Sequence, residues 1–194
     1  MQYPLELTFK IWTLAPTISV TDAQGNLVLY VRQKLFKFKE HITVFSDAQQ
    51  THSKFTIKAD RIIDFSARYN FADQDGAYLG SVKRRGLRSL WRARYDIFDG
   101  DASSLMIQEE NPWVKIWDSL FQEIPILGAL SGYVFHPKYL VSRPDGQVVM
   151  RLEKLPSFFS RKFVLKPVDQ MSDREEAQAL LSLLMMILLE RARG

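Results

Sequence analysis

The run AQALLSLLMMILL, residues 177–189, constrains this chain more than any other stretch, because eleven of its thirteen residues are apolar. Such a segment can cross a bilayer, lie on one, dock on a partner or fill the interior of a soluble domain. A bilayer core requires about 20 mostly apolar residues. This run is shorter, is interrupted by Gln178 and Ser182, and is flanked by Ser-Asp-Arg-Glu-Glu and Glu-Arg-Ala-Arg. An interfacial helix needs a polar face, yet Leu183 to Leu189 is apolar around the whole circumference. A helix that is apolar all round has to be enclosed by protein. The expectation is therefore a buried central helix rather than a tail anchor. Ser172 and Glu175 form the S-x-x-E capping box that starts it. Asp173, Glu175 and Glu176 crowd its positive end, and Arg191 and Arg193 lie near its negative end.

The rest of the sequence supplies the container. TISVTDAQGNLVLYVRQ alternates apolar and polar residues on both sides of a turn at Asp22 to Gly25. The same design recurs around Asp47, at Asp73 to Gly76, at Asp99 to Ala102 and at Pro144 to Gly146. Aspartate supports turns by accepting bonds from nearby backbone, and glycine supplies positive φ. Between hairpins, QKLFKFKEHITV, RGLRSLWRARYDI and EKLPSFFSRKFVL share a basic or glycine-containing lead, bulky residues, further cations and a new strand. These read as corners. With LELTFKIW and RIIDFSARYNF added, the pattern predicts about twelve antiparallel strands, in a mainly β domain over residues 1–194 closed as a barrel around the C-terminal helix. A second helix is predicted over residues 112–124. There Trp113, Ile116, Trp117, Leu120, Phe121 and Ile124 form one stripe, with Asn111 as cap, Pro112 in the first turn and Pro125 as stop.

Composition narrows the function classes. There is no cysteine, which excludes disulfides, thiol nucleophiles and Cys-based metal sites and fits a reducing cytosol. The opening MQYPLELTFKIWTLAP carries Glu6 and Lys10 where a signal peptide is apolar, so no secretion signal is expected. His41, His52 and His136 stand in no metal-ligand spacing, GALSG is not a nucleophile elbow, and no Walker or dinucleotide fingerprint occurs. The adjacent pairs Glu109/Glu110 and Glu175/Glu176 read as surface charge. No catalytic residue or cofactor is expected, and the chain reads as a binding protein, with a hydrolase or transferase lacking a readable motif as the remote alternative. Asp99, Asp101, Ser103 and Glu110 occupy positions 1, 3, 5 and 12 of a calcium-loop pattern, but position 6 is Ser104 rather than glycine and the flanks read as strands. A hairpin turn is the expectation there, with a cation site as its alternative.

Charge is uneven. From Arg32 to Arg94 there are 14 Lys/Arg against 6 Asp/Glu, and from Tyr95 to Met150 there are 3 against 8. The basic density peaks in KRRGLRSLWRAR, where Lys83, Arg84, Arg85, Arg88, Arg92 and Arg94 surround Trp91. A basic corner with an aromatic residue suits an anionic phospholipid surface or another phosphate ligand; the alternatives are a solvated or internally paired corner and nucleic acid. No nucleic-acid-binding motif accompanies it. The apolar region from Trp113 to Tyr133 offers a second surface, for a protein partner. The expected location is cytoplasmic, with peripheral attachment at the inner membrane surface as the extension of the lipid reading.

The strands and corners YVRQKLFKFKEHITVFSD and LGSVKRRGLRSLWRARYDIFD, the hairpin DGDASSLMIQEE, and the final order of hairpin, corner KLPSFFSRKF and helix resemble the Tubby C-terminal-like fold. The resemblance is to its LURP-one-related and phospholipid-scramblase branches and covers nearly the whole chain. It implies a non-enzymatic module. Tubby members bind phosphoinositides, and scramblase members bind calcium and act at membranes. The scramblase branch carries an Asp-rich calcium loop before the last helix and cysteines for acylation. Here the matching place reads RKFVLKPVDQMSD and there is no cysteine, so calcium-dependent scrambling is not carried over.

Overall fold

The computed structural model describes residues 1–10, 17–32, 41–61, 67–85, 94–110, 138–157 and 160–191. Twelve antiparallel strands form a closed barrel. They are β1 (Leu5–Lys10), β2 (Thr17–Thr21), β3 (Leu27–Arg32), β4 (His41–Phe45), β5 (Ser53–Ala59), β6 (Arg68–Asp73), β7 (Tyr78–Arg84), β8 (Arg94–Asp99), β9 (Ala102–Glu109), β10 (Lys138–Ser142), β11 (Val148–Leu155) and β12 (Ser160–Pro167). Each strand pairs with its neighbours in sequence, and β1 with β12 closes the sheet through Leu5↔Leu165 to Lys10↔Ser160. The sequence-based expectation of a barrel of about twelve strands around the last helix holds. The amphipathic helix expected at 112–124 lies outside the described residues.

Period-two alternation makes the inside. Leu5, Leu7 and Phe9 on β1, Ile18 and Val20 on β2, and Leu105 and Ile107 on β9 are all buried, while their neighbours face outward. Each such side chain stabilises the fold by roughly 1.5–3 kcal/mol through removal from water. The five tight hairpins share one irregularity. A register shift falls at the end of the incoming strand, at Val20/Thr21, Val44/Phe45, Phe71/Ala72, Ile97/Phe98 and Val141/Ser142. A bulge bends its strand and adds right-handed twist, and repeating it before each tip helps curl the meander into a cylinder.

The peg inside is helix α1 (Asp173–Arg191). From Ala179 to Leu189 every side chain is buried. Its capping box is formed: the Ser172 hydroxyl accepts from the Glu175 backbone N–H at 3.2 Å, and the Glu175 carboxylate accepts from the Ser172 N–H at 3.0 Å. Two polar residues interrupt the apolar surface, and one of them sets the seating. Gln178, 1% exposed, donates Nε2 to the Leu79 carbonyl at 2.8 Å and accepts from the Ser104 hydroxyl at 3.0 Å. The wall is cut away to admit it. Gly80, at φ +150°, lies so close that a Cβ there would stand 2.9 Å from Gln178 Nε2 and 2.9 Å from the Phe98 carbonyl oxygen. Only glycine fits this place without moving backbone.

Candidate ligand-binding site

The two ends of the barrel are built from different chemistry. All five tight hairpins and the start of α1 lie at one end, because odd-numbered strands begin there and even-numbered strands finish there. We call this the hairpin end. At the opposite end the strands are joined by residues 11–16, 33–40, 62–66, 86–93, 111–137 and 158–159, which lie outside the described set.

The hairpin end is acidic, and most of its carboxylates are engaged. Asp22 accepts from the backbone N–H of Gln24 and of Asn26, each at 2.9 Å, and Asp73 does the same for Asp75 and Ala77. Asp47 accepts from the Thr51 and His52 N–H groups, and these bonds hold its carboxyl down to about 2. Three successive helix residues then tie α1 to three separate parts of the wall. Arg174 makes a two-pronged pair with Asp99, at 2.8 and 2.7 Å. Glu175 receives Arg143, which precedes the last hairpin tip, at 2.9 and 3.2 Å. Glu176 accepts from the Tyr3 hydroxyl at 2.7 Å. Burial first, and then this bond, push the Tyr3 hydroxyl far above its ordinary range.

The calcium-pattern residues are not brought together. Asp99 is engaged by Arg174, Asp101 pairs with Arg68 at 3.4 Å, and Ser103 is exposed beside them. Glu110 follows the eight-residue strand β9, about 25 Å further along the chain at strand rise, and pairs with Arg151 at 3.7 Å. The sequence spacing mimics a loop that a strand has pulled straight. Among the described residues no group of three or more His, Asp and Glu side chains is placed to hold a metal ion.

The basic corner is also divided. Lys83, Arg84, Arg85 and Arg94 are described, and Arg88, Trp91 and Arg92 are not. Strand alternation sends Lys83 outward, whereas Arg84, opposite the fully buried Tyr95, stands half-buried at an inner-face position. Arg85 is exposed and pairs with Asp96 at 3.5 Å. Arg94 rests its guanidinium on the Met106 sulfur at 3.4 Å, and its Nε is buried with no hydrogen-bond partner. Nearby, Asp60 is desolvated, but bonds from the Arg68 N–H and the Arg61 guanidinium outweigh that and hold its carboxyl below the usual range. Part of the corner is thus internally paired, and among its described residues Lys83 faces water without a salt bridge, its charge helping to lower Asp60 from a distance. The apolar region from Trp113 to Tyr133 lies outside the described residues.

What reading the corner alone misses is a basic end. Of the twelve strand termini opposite the hairpin end, six are Lys or Arg: Lys10, Arg32, Arg68, Arg84, Arg94 and Lys138, although the Arg68 guanidinium lies over Phe98 and reaches the Gly100 carbonyl and Asp101 of the β8–β9 tip. One, Glu109, is acidic. Among the described residues Lys10, Arg32, Lys58, Lys83, Lys154 and Arg161 make no salt bridge and stand at or near this end; Arg94 makes none here either but lies against Met106, and Lys54, over the Phe55 ring, makes none at the hairpin end. The first six come from β1, β3, β5, β7, β11 and β12. A signal for them is present in the sequence: every tight turn carries aspartate, and half of the strand ends away from the turns are lysine or arginine. Among the described residues no helix is long and apolar enough to cross a membrane.

A crystal structure of a protein from Arabidopsis thaliana aligns with 98% of this chain and 92% of its own, at 16% identity and a TM-score of 0.48. Comparison with curated proteins gives no match. The family model described as LURP-one-related matches residues 27–125. That stretch runs from β3 through the basic corner to beyond β9 and makes up just over half of the sequence, and this chain belongs to the LURP-one-related family.

Proposed function

We propose that the protein is a non-catalytic binding module for anionic, phosphate-bearing ligands, held through the basic end of the barrel. The observation that carries this reading is the separation of charge along the barrel axis. Most carboxylates at the hairpin end are engaged by turns and by the helix start, whereas six cations at the other end make no salt bridge among the described residues, Lys83 acting on the Asp60 carboxylate only at longer range. Uncompensated cations gathered at one end raise the local concentration of anions and steer them there. Family membership supports a binding module, and the absence of a readable catalytic motif in the sequence agrees with it. Among the described residues the interior is filled mainly by apolar side chains, so the outer surface and the barrel rims are where a ligand is met.

The test is flotation with vesicles of neutral phosphatidylcholine and with vesicles containing phosphatidylserine, beside calorimetry with inorganic phosphate and inositol phosphates. Recovery with anionic vesicles, or heat with a phosphate ligand, is expected. Both should weaken when Lys83→Glu and Arg85→Glu are combined. Equal recovery with neutral vesicles, or no binding to any of these probes, removes the proposal.

A further inference from the structure

We infer that the ligand of this basic end is the plane of an anionic bilayer, and that the barrel stands on it end-on, with the hairpin end and the start of α1 pointing away. The inference rests on the binding function proposed above and adds the partner and its orientation.

Six cations that make no salt bridge are laid out around the rim. Lys10 and Arg32 stand in one cross-strand row, Lys10↔Thr17↔Arg32, both exposed on the outer face. Lys58 and Lys83 continue outside on β5 and β7. Lys154 and Arg161 are opposite the buried Phe163 and Phe9, so they occupy inner-face positions at the rim. In barrel order these six follow one arc, from β11 through β12, β1 and β3 to β5 and β7. At about 4.8 Å between strands the arc is roughly 40 Å long. A single phosphate is recognised by donors that converge on one point, and these diverge around a rim. A nucleic acid backbone is tracked by cations along a groove, and these curve around the end of a cylinder. An extended negative plane meets most of them at once. The remaining part of the rim, from β8 to β10, is mixed, with Arg94 and Lys138 beside Glu109 and Glu110, whereas the hairpin end carries the aspartates of the turns and faces repulsion from an anionic surface. The barrel therefore has one end that such a surface attracts and one that it rejects.

The chain has no cysteine, so single cysteines can be introduced and labelled with an environment-sensitive fluorophore without background. Labels at Lys10, Arg32 and Lys83 should respond to vesicles containing phosphatidylserine, and labels at Gln24, Asp75 and Asp145 on the hairpin tips should not. The pair Lys10→Gln with Arg32→Gln and the pair Lys58→Gln with Lys83→Gln should each weaken partitioning by about 30-fold at low salt, taking about 5-fold per cation near the surface. Both losses should shrink as salt shortens the screening length. A response from the hairpin tips, or loss confined to one of the two pairs while binding persists, overturns end-on docking and leaves the phosphate-binding function standing. Binding to inositol phosphates or to an RNA oligonucleotide with no vesicle recovery overturns the bilayer as partner. Failure with every probe removes the underlying function as well.

Discussion

Ser182 carries a hydroxyl that nothing in the described structure satisfies: it is fully buried on α1, and its Oγ has no hydrogen-bond partner. A buried donor left unmade costs about 1–3 kcal/mol. Gln178, one turn earlier, shows the opposite outcome, with both ends of its amide engaged. Ser182→Ala should therefore raise stability by about 1 kcal/mol, since alanine also favours the helix. The midpoint of chemical denaturation checks this, and a lowered midpoint would mean that the hydroxyl has a partner. In the sequence, Gln178 and Ser182 look alike, as two polar breaks in an apolar run. What separates them is the wall they meet: Gln178 faces the Leu79 carbonyl across a glycine, a juxtaposition of residues 99 positions apart that no local pattern displays.

Helix α1 is held by packing along its length and by charge at its start, and the two can be separated. Leu184 is fully buried within the run from Ala179 to Leu189. An unpaired carboxylate there is expensive enough to exceed the roughly 5–15 kcal/mol that holds a domain folded. Leu184→Asp should abolish cooperative unfolding and the native circular dichroism. A folded variant that has merely lost vesicle binding would mean that the helix docks on lipid instead of filling the barrel. The start of the helix responds to pH. The Arg143 guanidinium holds Glu175 below its ordinary value of 4.5, and the Arg174 guanidinium holds Asp99 below 3.8. Unfolded carboxyls take up protons at those ordinary values, and the folded ones only at lower pH. Their stabilisation is therefore complete above about 4.5 and is lost as pH falls through the depressed folded values. Denaturation midpoints measured from pH 7 to 3 should fall below that point, and Glu175→Gln should flatten part of the decline. An unchanged slope in the variant would place the acid sensitivity elsewhere. The capping box and the enclosed helix were readable from Ser172, Glu175 and the all-round apolarity of residues 183–189. The anchoring partners were not, because Tyr3, Asp99 and Arg143 reach the helix only once the barrel has closed.

Closure itself has a weak place. A barrel abolishes sheet edges only if every seam is paired. Among the described residues most neighbouring strands share five or six register partners, as β1 and β12 do from Leu5↔Leu165 to Lys10↔Ser160, whereas β3 and β4 meet at Tyr30↔Phe45 alone. The count of strands and their order could be read from the Asp-bearing turns. This seam could not, since it depends on how two strands of different hairpins diverge rather than on any residue within them. Local opening draws on the least protected hydrogen bonds, so the cylinder should open first between β3 and β4. Native-state hydrogen exchange should find β3 and β4 amides exchanging through a lower-energy opening than those of the β1–β12 and β11–β12 pairs. A disulfide engineered at Tyr30→Cys and Phe45→Cys, directly opposite each other, should raise that opening energy towards the global unfolding value. Because Arg32 ends β3 beside this seam and belongs to the cationic arc, the same disulfide should leave vesicle binding intact if the arc acts as a rigid rim. Loss of binding in the folded, cross-linked protein would show instead that the rim has to part at β3 and β4 to engage its surface.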